Sequence, residues 1–150
     1  MRLVIQRVSY AQVSVDSKII HRINKDYMIL VGVELVDNVN DVYWLVDKVA
    51  GLRIFSDIQG KMNLSIKEIN GSILAISQFT LHAQTAKGNR PSFIKAAPPE
   101  IAKQLYNLFI QALNDKHTIP TYPGVFGADM QIELNNDGPV TILMDSKNRE

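Results

Sequence analysis

Leu3, Ile5, Val13 and Val15 fall on alternating positions near the start of the chain, with Val4 and Val8 out of phase. Alternation marks a half-buried strand, because successive side chains of a strand point to opposite faces. The pattern predicts strands at 2–9 and 11–16. "KIIHRI" and "YMILVGVE" continue the series, joined at Asn24-Lys25-Asp26, a turn signal. The first third of the chain reads as an antiparallel meander.

The period then changes. Val42, Leu45, Val46, Val49 and Leu52 recur at helical spacing behind Asn38, a capping residue, and Gly51 lies near the end. "GLRIF" leaves the helix as a short strand, and "SDIQGKMN" reads as a polar loop. "GSILAISQFTL" is a strongly apolar strand, which places it centrally in the sheet, and "HAQTAKGNRPS" is a long polar loop. Pro98-Pro99-Glu100 opens a second helix, where proline is tolerated in the first turn. Its buried stripe is predicted at Ile101, Leu105, Leu108 and Ala112. "TIPTYPGVFGADMQIEL" returns to extended structure, broken by two prolines and two glycines. The order is β-β-β-β-α-β-β-α-β-β-β. It predicts one α+β domain over residues 1–150, with mostly antiparallel, barrel-like sheet closed over two main helices.

"NNDGPVTILMD", residues 135–145, sits awkwardly in that scheme. Val140 to Met144 read as a strand, Ile132 and Leu134 as another, and a hairpin between them needs only Asp-Gly. The added Pro139 has no N–H for the ladder and fixes its own φ. Two explanations fit. The pair is a turn with a proline at the start of an edge strand, or a cis peptide fixing two carbonyls at a rigid tip.

Composition narrows the function. The 150 residues suffice for one domain with a real core. A net charge of +1 argues against broad coating of a nucleic-acid duplex, though not against contact with a short stretch. The absence of cysteine removes disulfides, thiolate nucleophiles and Cys-based zinc sites. The N-terminus alternates and contains Arg2, Gln6 and Arg7, unlike a signal peptide or membrane span. A soluble, cytoplasmic protein without metal or cofactor is expected.

Chemistry has few places to sit. His21 and His117 read as surface histidines, the latter after a helix end where positive charge is favoured. His82 follows "SQFTL", but no G-x-S-x-G elbow, His-Glu-x-x-His pair or glycine-rich phosphate loop is present. Ser77 to Leu81 end a buried strand in polar residues, which are either hydrogen-bonded structural groups or a site. Thr80 is a weak nucleophile without a base. The backbone amides of Phe79 and Thr80 need no activation to serve as oxyanion donors.

"MRLVIQRVSYAQVSV", "GLRIF", "SQFTL", "KGNRPSF", "PGVFGADMQIEL" and "NDGPVTI" together resemble the D-aminoacyl-tRNA deacylase family, from Met1 to about Asp145. The resemblance implies hydrolysis of the ester between a D-amino acid and the terminal adenosine of tRNA. Glycyl groups mischarged on alanine tRNA are expected to react as well. It implies a homodimer with active sites at the interface and no DNA or membrane partner. A cis Gly138-Pro139 tip would enter the partner's site to face Ser77, Gln78, Phe79 and Thr80, tied down by Arg7, and exclude L-aminoacyl groups. Phe126 and Met130 would line the adenosine side. Thr80, a water or the ribose 2′-hydroxyl could drive the step. Arg53, Lys61, Lys87, Arg90 and Lys95 are candidate phosphate contacts. A non-catalytic RNA-end binder and a small-molecule esterase are the competing classes. The five C-terminal residues are expected to form a disordered tail.

Overall fold

A computed structural model describes residues 1–149. The meander begins with one long strand, β1 (Arg2–Val15), where the sequence pattern predicts two. Ser9 and Tyr10 stay in the strand because a partner runs along its whole length. Register slips between Gln6 and Val8 and between Val8 and Tyr10 absorb the phase change. Leu3 and Ile5 thus face the larger core, while Val8, Ala11 and Val13 face a second, smaller one. Strands β2 (Lys18–Ile23) and β3 (Asp26–Gly32) pair antiparallel with β1.

Helix α1 (Val39–Gly51) starts as predicted at Asn38, in a reciprocal capping box with Asp41. A hairpin of β4 (Arg53–Ser56) and β5 (Met62–Ser65) stands apart from the main sheet. Strand β5 begins at Met62 and Asn63, inside the stretch read as a polar loop, where the polar composition hides the pairing of Met62 with Ser56. Strand β6 (Ile73–Ser77) stops short of the predicted Leu81, and Phe79–His82 form a 3₁₀ turn instead. Helix α2 (Pro99–His117), strand β7 (Thr121–Pro123) and strand β8 (Gln131–Asp145) complete the chain.

The buried stripe of α2 is rotated from the predicted one. Leu105, Tyr106, Phe109, Ala112 and Leu113 are buried, whereas Ile101 is exposed and Leu108 half-buried. Tyr106 takes the inward position because its hydroxyl donates to the Ala75 carbonyl at 2.7 Å.

The sheet order is β2-β1-β3-β6-β7, with β8 on the other side of β1, giving a nearly closed, barrel-like sheet. Strand β6 runs parallel to both β3 and β7, and each parallel step needs a crossover, the first through α1 and the second through α2. Tyr27, Ile29, Val31, Ile73 and Ala75 face the larger core with both helices, while Met28, Leu74 and Ile76 face the smaller one. Burial on both faces explains the unbroken apolar runs of β3 and β6. The Asp26 carboxylate accepts from the Ser72 amide and hydroxyl at 2.5 and 2.6 Å, pinning the start of β6 to that of β3.

No hairpin exists at Gly138-Pro139. Strand β8 is antiparallel to β1 on both sides of the pair. Asn136 faces Val8 and Thr141 faces Gln6, so Asp137 to Val140 leave the ladder opposite Arg7 and return to it. A proline is compatible with such an excursion because the ladder asks no N–H of it. The C-terminal segment is docked: the Ser146 amide donates to the Met1 carbonyl at 2.9 Å and Lys147 pairs with Asp41 at 2.7 Å. Glu150 of the expected tail lies outside the described residues. No described helix is long and apolar enough to cross a membrane.

His82 sits beneath the 3₁₀ turn, 1% exposed. The Gly32 backbone lies against its ring, and neither ring nitrogen has a hydrogen bond among the described residues. Burial holds its pKa below the usual 6.5, only partly offset by Gly32 and Glu34. Below that value the unfolded chain takes up a proton that the folded chain refuses. Stability is therefore full above about pH 6.5 and is lost as pH falls toward the lowered folded value. Thermal unfolding from pH 8 to 5 should show the midpoint dropping below pH 6.5, and His82→Leu should flatten that drop. The full wild-type slope in His82→Leu would assign the effect to other groups.

Candidate functional site

A cavity of about 710 Å³ opens where β6 ends. Ser77, Gln78 and Phe79 form one wall, Phe93, Ala97 and Pro98 a second, and Phe126 and Met130 a third. The floor is apolar. Tyr106 points its hydroxyl at Ala75 and offers the cavity its ring, which packs 5.8 Å from Phe126. Phe79 and Phe93 meet edge to face at 5.0 Å across the mouth. Flat, half-exposed rings around an apolar floor suit a planar heterocycle, which can stack without a charged partner.

Glycines shape this cavity. A Cβ on Gly124 would lie 2.7 Å from the Met130 sulfur and 3.0 Å from Ile76, so a side chain there would displace the ends of two side chains that line the cavity. Gly32, at the end of β3, leaves room for the 3₁₀ turn in the same way: its Cβ would lie 2.9 Å from Leu81 and 3.0 Å from the Gln78 carbonyl.

The polar groups at the mouth are donors. The Gln78 amide is fixed to the Val31 carbonyl at 2.8 Å, but those of Phe79 and Thr80 have no acceptor among the described residues. Both residues are exposed. Gln78 Nε2 donates to Thr80 Oγ1 at 2.6 Å, so the hydroxyl oxygen is an acceptor there and its proton is free to point elsewhere. Gln78 cannot remove that proton, since an amide is no base. Arg2 holds the far end of the turn, donating to the Leu81 carbonyl at 3.0 Å and pairing with Asp145 at 2.8 Å.

Histidine supplies no base. His82 is sealed under the turn, His21 rests on the Tyr122 ring at 5.3 Å, and His117 bonds Asp47 at 2.7 Å. No described group of His, Asp and Glu could hold a metal ion.

Gly138, Pro139 and Arg7 do not line this cavity. They build a separate tip. Buried Arg7 donates to the Ile54 carbonyl from Nη1 at 2.5 Å and to the Asp137 carbonyl from Nε at 3.2 Å, and pairs with the Asp137 carboxylate at 3.1 Å. Asn136 brackets the other side, accepting from the Val140 amide at 2.9 Å. Gly138 has φ +125°, and a Cβ there would come within 3.0 Å of Arg7 Nη2 and 2.8 Å of Val140. The Gly138-Pro139 peptide is cis, and Pro139 is exposed.

Ser77, Gln78, Phe79, Phe126 and Met130 thus come together, Thr80 stands at their edge, and Arg7, Gly138 and Pro139 form a second locus. Arg2, Gly32, Phe93, Asn136 and the Ile54 carbonyl were not singled out from sequence. Asn136 had a signal, since Asn ahead of a tight backbone excursion commonly bonds its own main chain. Arg2 and Ile54 had none, because their partners lie far along the chain.

A profile of the D-Tyr-tRNA(Tyr) deacylase family matches residues 4–145. A D-aminoacyl-tRNA deacylase of Flavobacterium psychrophilum is 55% identical over 150 residues, covering all of both chains. Among solved structures, the c-Myc DNA Unwinding Element Binding Protein is 38% identical with TM-score 0.90, covering 97% of this chain and 98% of that one. A probable eukaryotic D-amino acid tRNA deacylase shares the fold at TM-score 0.83 and 16% identity, covering 95% of this chain and 97% of that one. A match of this extent, over the cavity and the tip alike, makes this chain a member of the D-Tyr-tRNA(Tyr) deacylase family.

Proposed function

We propose that this protein hydrolyses the ester between a D-amino acid and the terminal adenosine of tRNA, releasing both. Family membership supports the reaction class. The observation that carries the mechanism is the pair of unengaged Phe79 and Thr80 amides at the mouth of an aromatic cavity. The adenine enters between Phe126, Met130 and Tyr106. The ester carbonyl then lies at the amides, which stabilise the negative charge as water adds. An aminoacyl ester is reactive, so donors without a strong base suffice. The neighbouring 2′-hydroxyl is the nearest group to relay the proton.

Selectivity comes from a second subunit. The Gly138-Pro139 tip has no role in its own cavity, while Phe79 and Leu143 leave apolar surface exposed, which supports a homodimer with the tip of one protomer in the cavity of the other. An L-residue would drive its Cβ into the tip carbonyls, and a D-residue would point away. Arg7 and Asn136 keep the tip from retreating. Such a site rejects by clash and needs no side-chain pocket.

The primary test is release of free tyrosine from D- and L-tyrosyl-tRNA in parallel. Release from the D form alone is expected. A protein that only grips an RNA end releases neither, and a general esterase also cleaves esters lacking adenosine. Glycyl-tRNA should react while L-alanyl-tRNA is spared by roughly a hundredfold, since overlap of one methyl with fixed groups costs a few kcal/mol. Glycine as slow as L-alanine in single-turnover measurements would replace exclusion by positive recognition of a D side chain. Thr80→Ala should stay within about tenfold of wild type, whereas removal of a nucleophile costs several orders of magnitude. Arg7→Ala frees the tip, so hydrolysis of L-tyrosyl-tRNA should rise about tenfold relative to D-tyrosyl-tRNA. An unchanged ratio in a folded variant would remove Arg7 from the selectivity mechanism.

A further inference from the structure

We propose that the excursion from Thr85 to Pro91 is a cationic arm that grips the RNA backbone just upstream of the nucleotide in the cavity, with Lys87 and Arg90 as its phosphate contacts. The proposal rests on the reading of the substrate as an RNA 3′ end and adds how the rest of that RNA is held. Gln84 and Ser92 exchange backbone hydrogen bonds at 2.8 and 3.0 Å, closing the excursion into a neck. Every residue from Thr85 to Pro91 beyond the neck is exposed, and Gly88 turns the chain with φ +68°. The neck is rooted in the site, because Phe93, one residue past Ser92, forms the cavity mouth against Phe79.

The charge is concentrated and unspent. The chain has a net charge of only +1, yet residues 69–99 contain no aspartate or glutamate and carry Lys87, Arg90 and Lys95. None of the three makes an ion pair among the described residues, although Arg2, Arg7, Lys116 and Lys147 all do. With no acidic residue in that stretch of chain and no described carboxylate engaging them, these three are held in solvent beside the site. Arg90 stands three residues from Phe93, at most ~10 Å of backbone. At a rise of about 3.4 Å per nucleotide along a stacked strand, that reaches the few nucleotides preceding the last one. A planar guanidinium and an ammonium there match phosphate oxygens, and contacts to backbone carry no sequence preference.

The test compares wild type with Lys87→Ala/Arg90→Ala on D-tyrosyl-tRNA and on D-tyrosyl-adenosine, which has the same ester and no upstream phosphate. Both side chains are exposed, so an unchanged thermal midpoint is expected and is checked first. On tRNA, kcat/KM should fall at least tenfold, and the slope of log kcat/KM against log salt should shrink by about 1.4, two contacts at about 0.7 each for a single strand. On D-tyrosyl-adenosine the variant should equal wild type. Equal activity on tRNA, or equal losses on both substrates, would overturn the arm. Should wild type cleave neither substrate, the hydrolytic reading falls. The arm is then judged by binding of uncharged tRNA across the same salt series, where wild type and variant differing by less than threefold would overturn it.

Discussion

Strand β1 is hydrogen-bonded to three strands at once, and both parts of the candidate site are hung from it. Its first half carries β3, whose parallel neighbour β6 ends in Ser77 and the donor turn. Its other side carries β8 and the Gly138-Pro139 excursion. Two of its own side chains reach outward to the same parts: Arg2 to the Leu81 carbonyl at the end of the turn, and Arg7 to the base of the tip. Interactions of a guanidinium with carbonyl or carboxylate oxygens are worth about 1.5–3 kcal/mol each when kept from water, and Arg7 is buried. The slips in the β1–β8 ladder at Gln6 to Tyr10 are therefore not defects. They are where the strand changes cores and where β8 is given room to leave.

The donor turn illustrates how much can be asked of backbone amides. They carry no pKa in the physiological range and have their positions set by the fold. The Phe79 and Thr80 amides project from a turn fixed at Gln78 by Val31, at Leu81 by Arg2, and from below by close packing on Gly32. His82, the titratable group nearest in sequence, is buried, with its pKa held down by burial, and does not line the cavity. Under the proposed reaction such a turn would stabilise charge without generating a nucleophile, which suits a substrate that is already activated.

Much of this was legible in the sequence where the signal is local. Asn38 and Asp41 announce α1, and the polar end of an apolar strand at Ser77 to Thr80 marks the mouth of the cavity. What failed depended on partners far away. The pattern divides one strand into two because the partner that carries β1 through Ser9 and Tyr10 lies more than a hundred residues on. The Gly138-Pro139 segment reads as a hairpin because turn residues between two apolar runs look alike whether the chain reverses or detours. Only the identity of the partner strand separates the cases, and here both flanks pair with β1. The spacing puts Ile101 inside because it gives a period and not a phase. The phase is set by Tyr106 reaching Ala75.

The β4–β5 hairpin takes its place last in this scheme. It lies outside the main sheet, and its Ile54 carbonyl accepts from Arg7 on the side opposite Asp137. A guanidinium held by one acceptor can swing about it; held by two, on different elements, it cannot, because its donors are coplanar and rigid. A lysine could satisfy either carbonyl but would not tie the two together in one plane. The exclusion by clash proposed above would demand stiffness of this sort more than affinity, since a wall that yields by a few tenths of an ångström no longer excludes a methyl. Gly138 fits the same logic. Its φ of +125° and the 3.0 Å between its missing Cβ and Arg7 let the guanidinium sit close under the tip, where any side chain would push the support away.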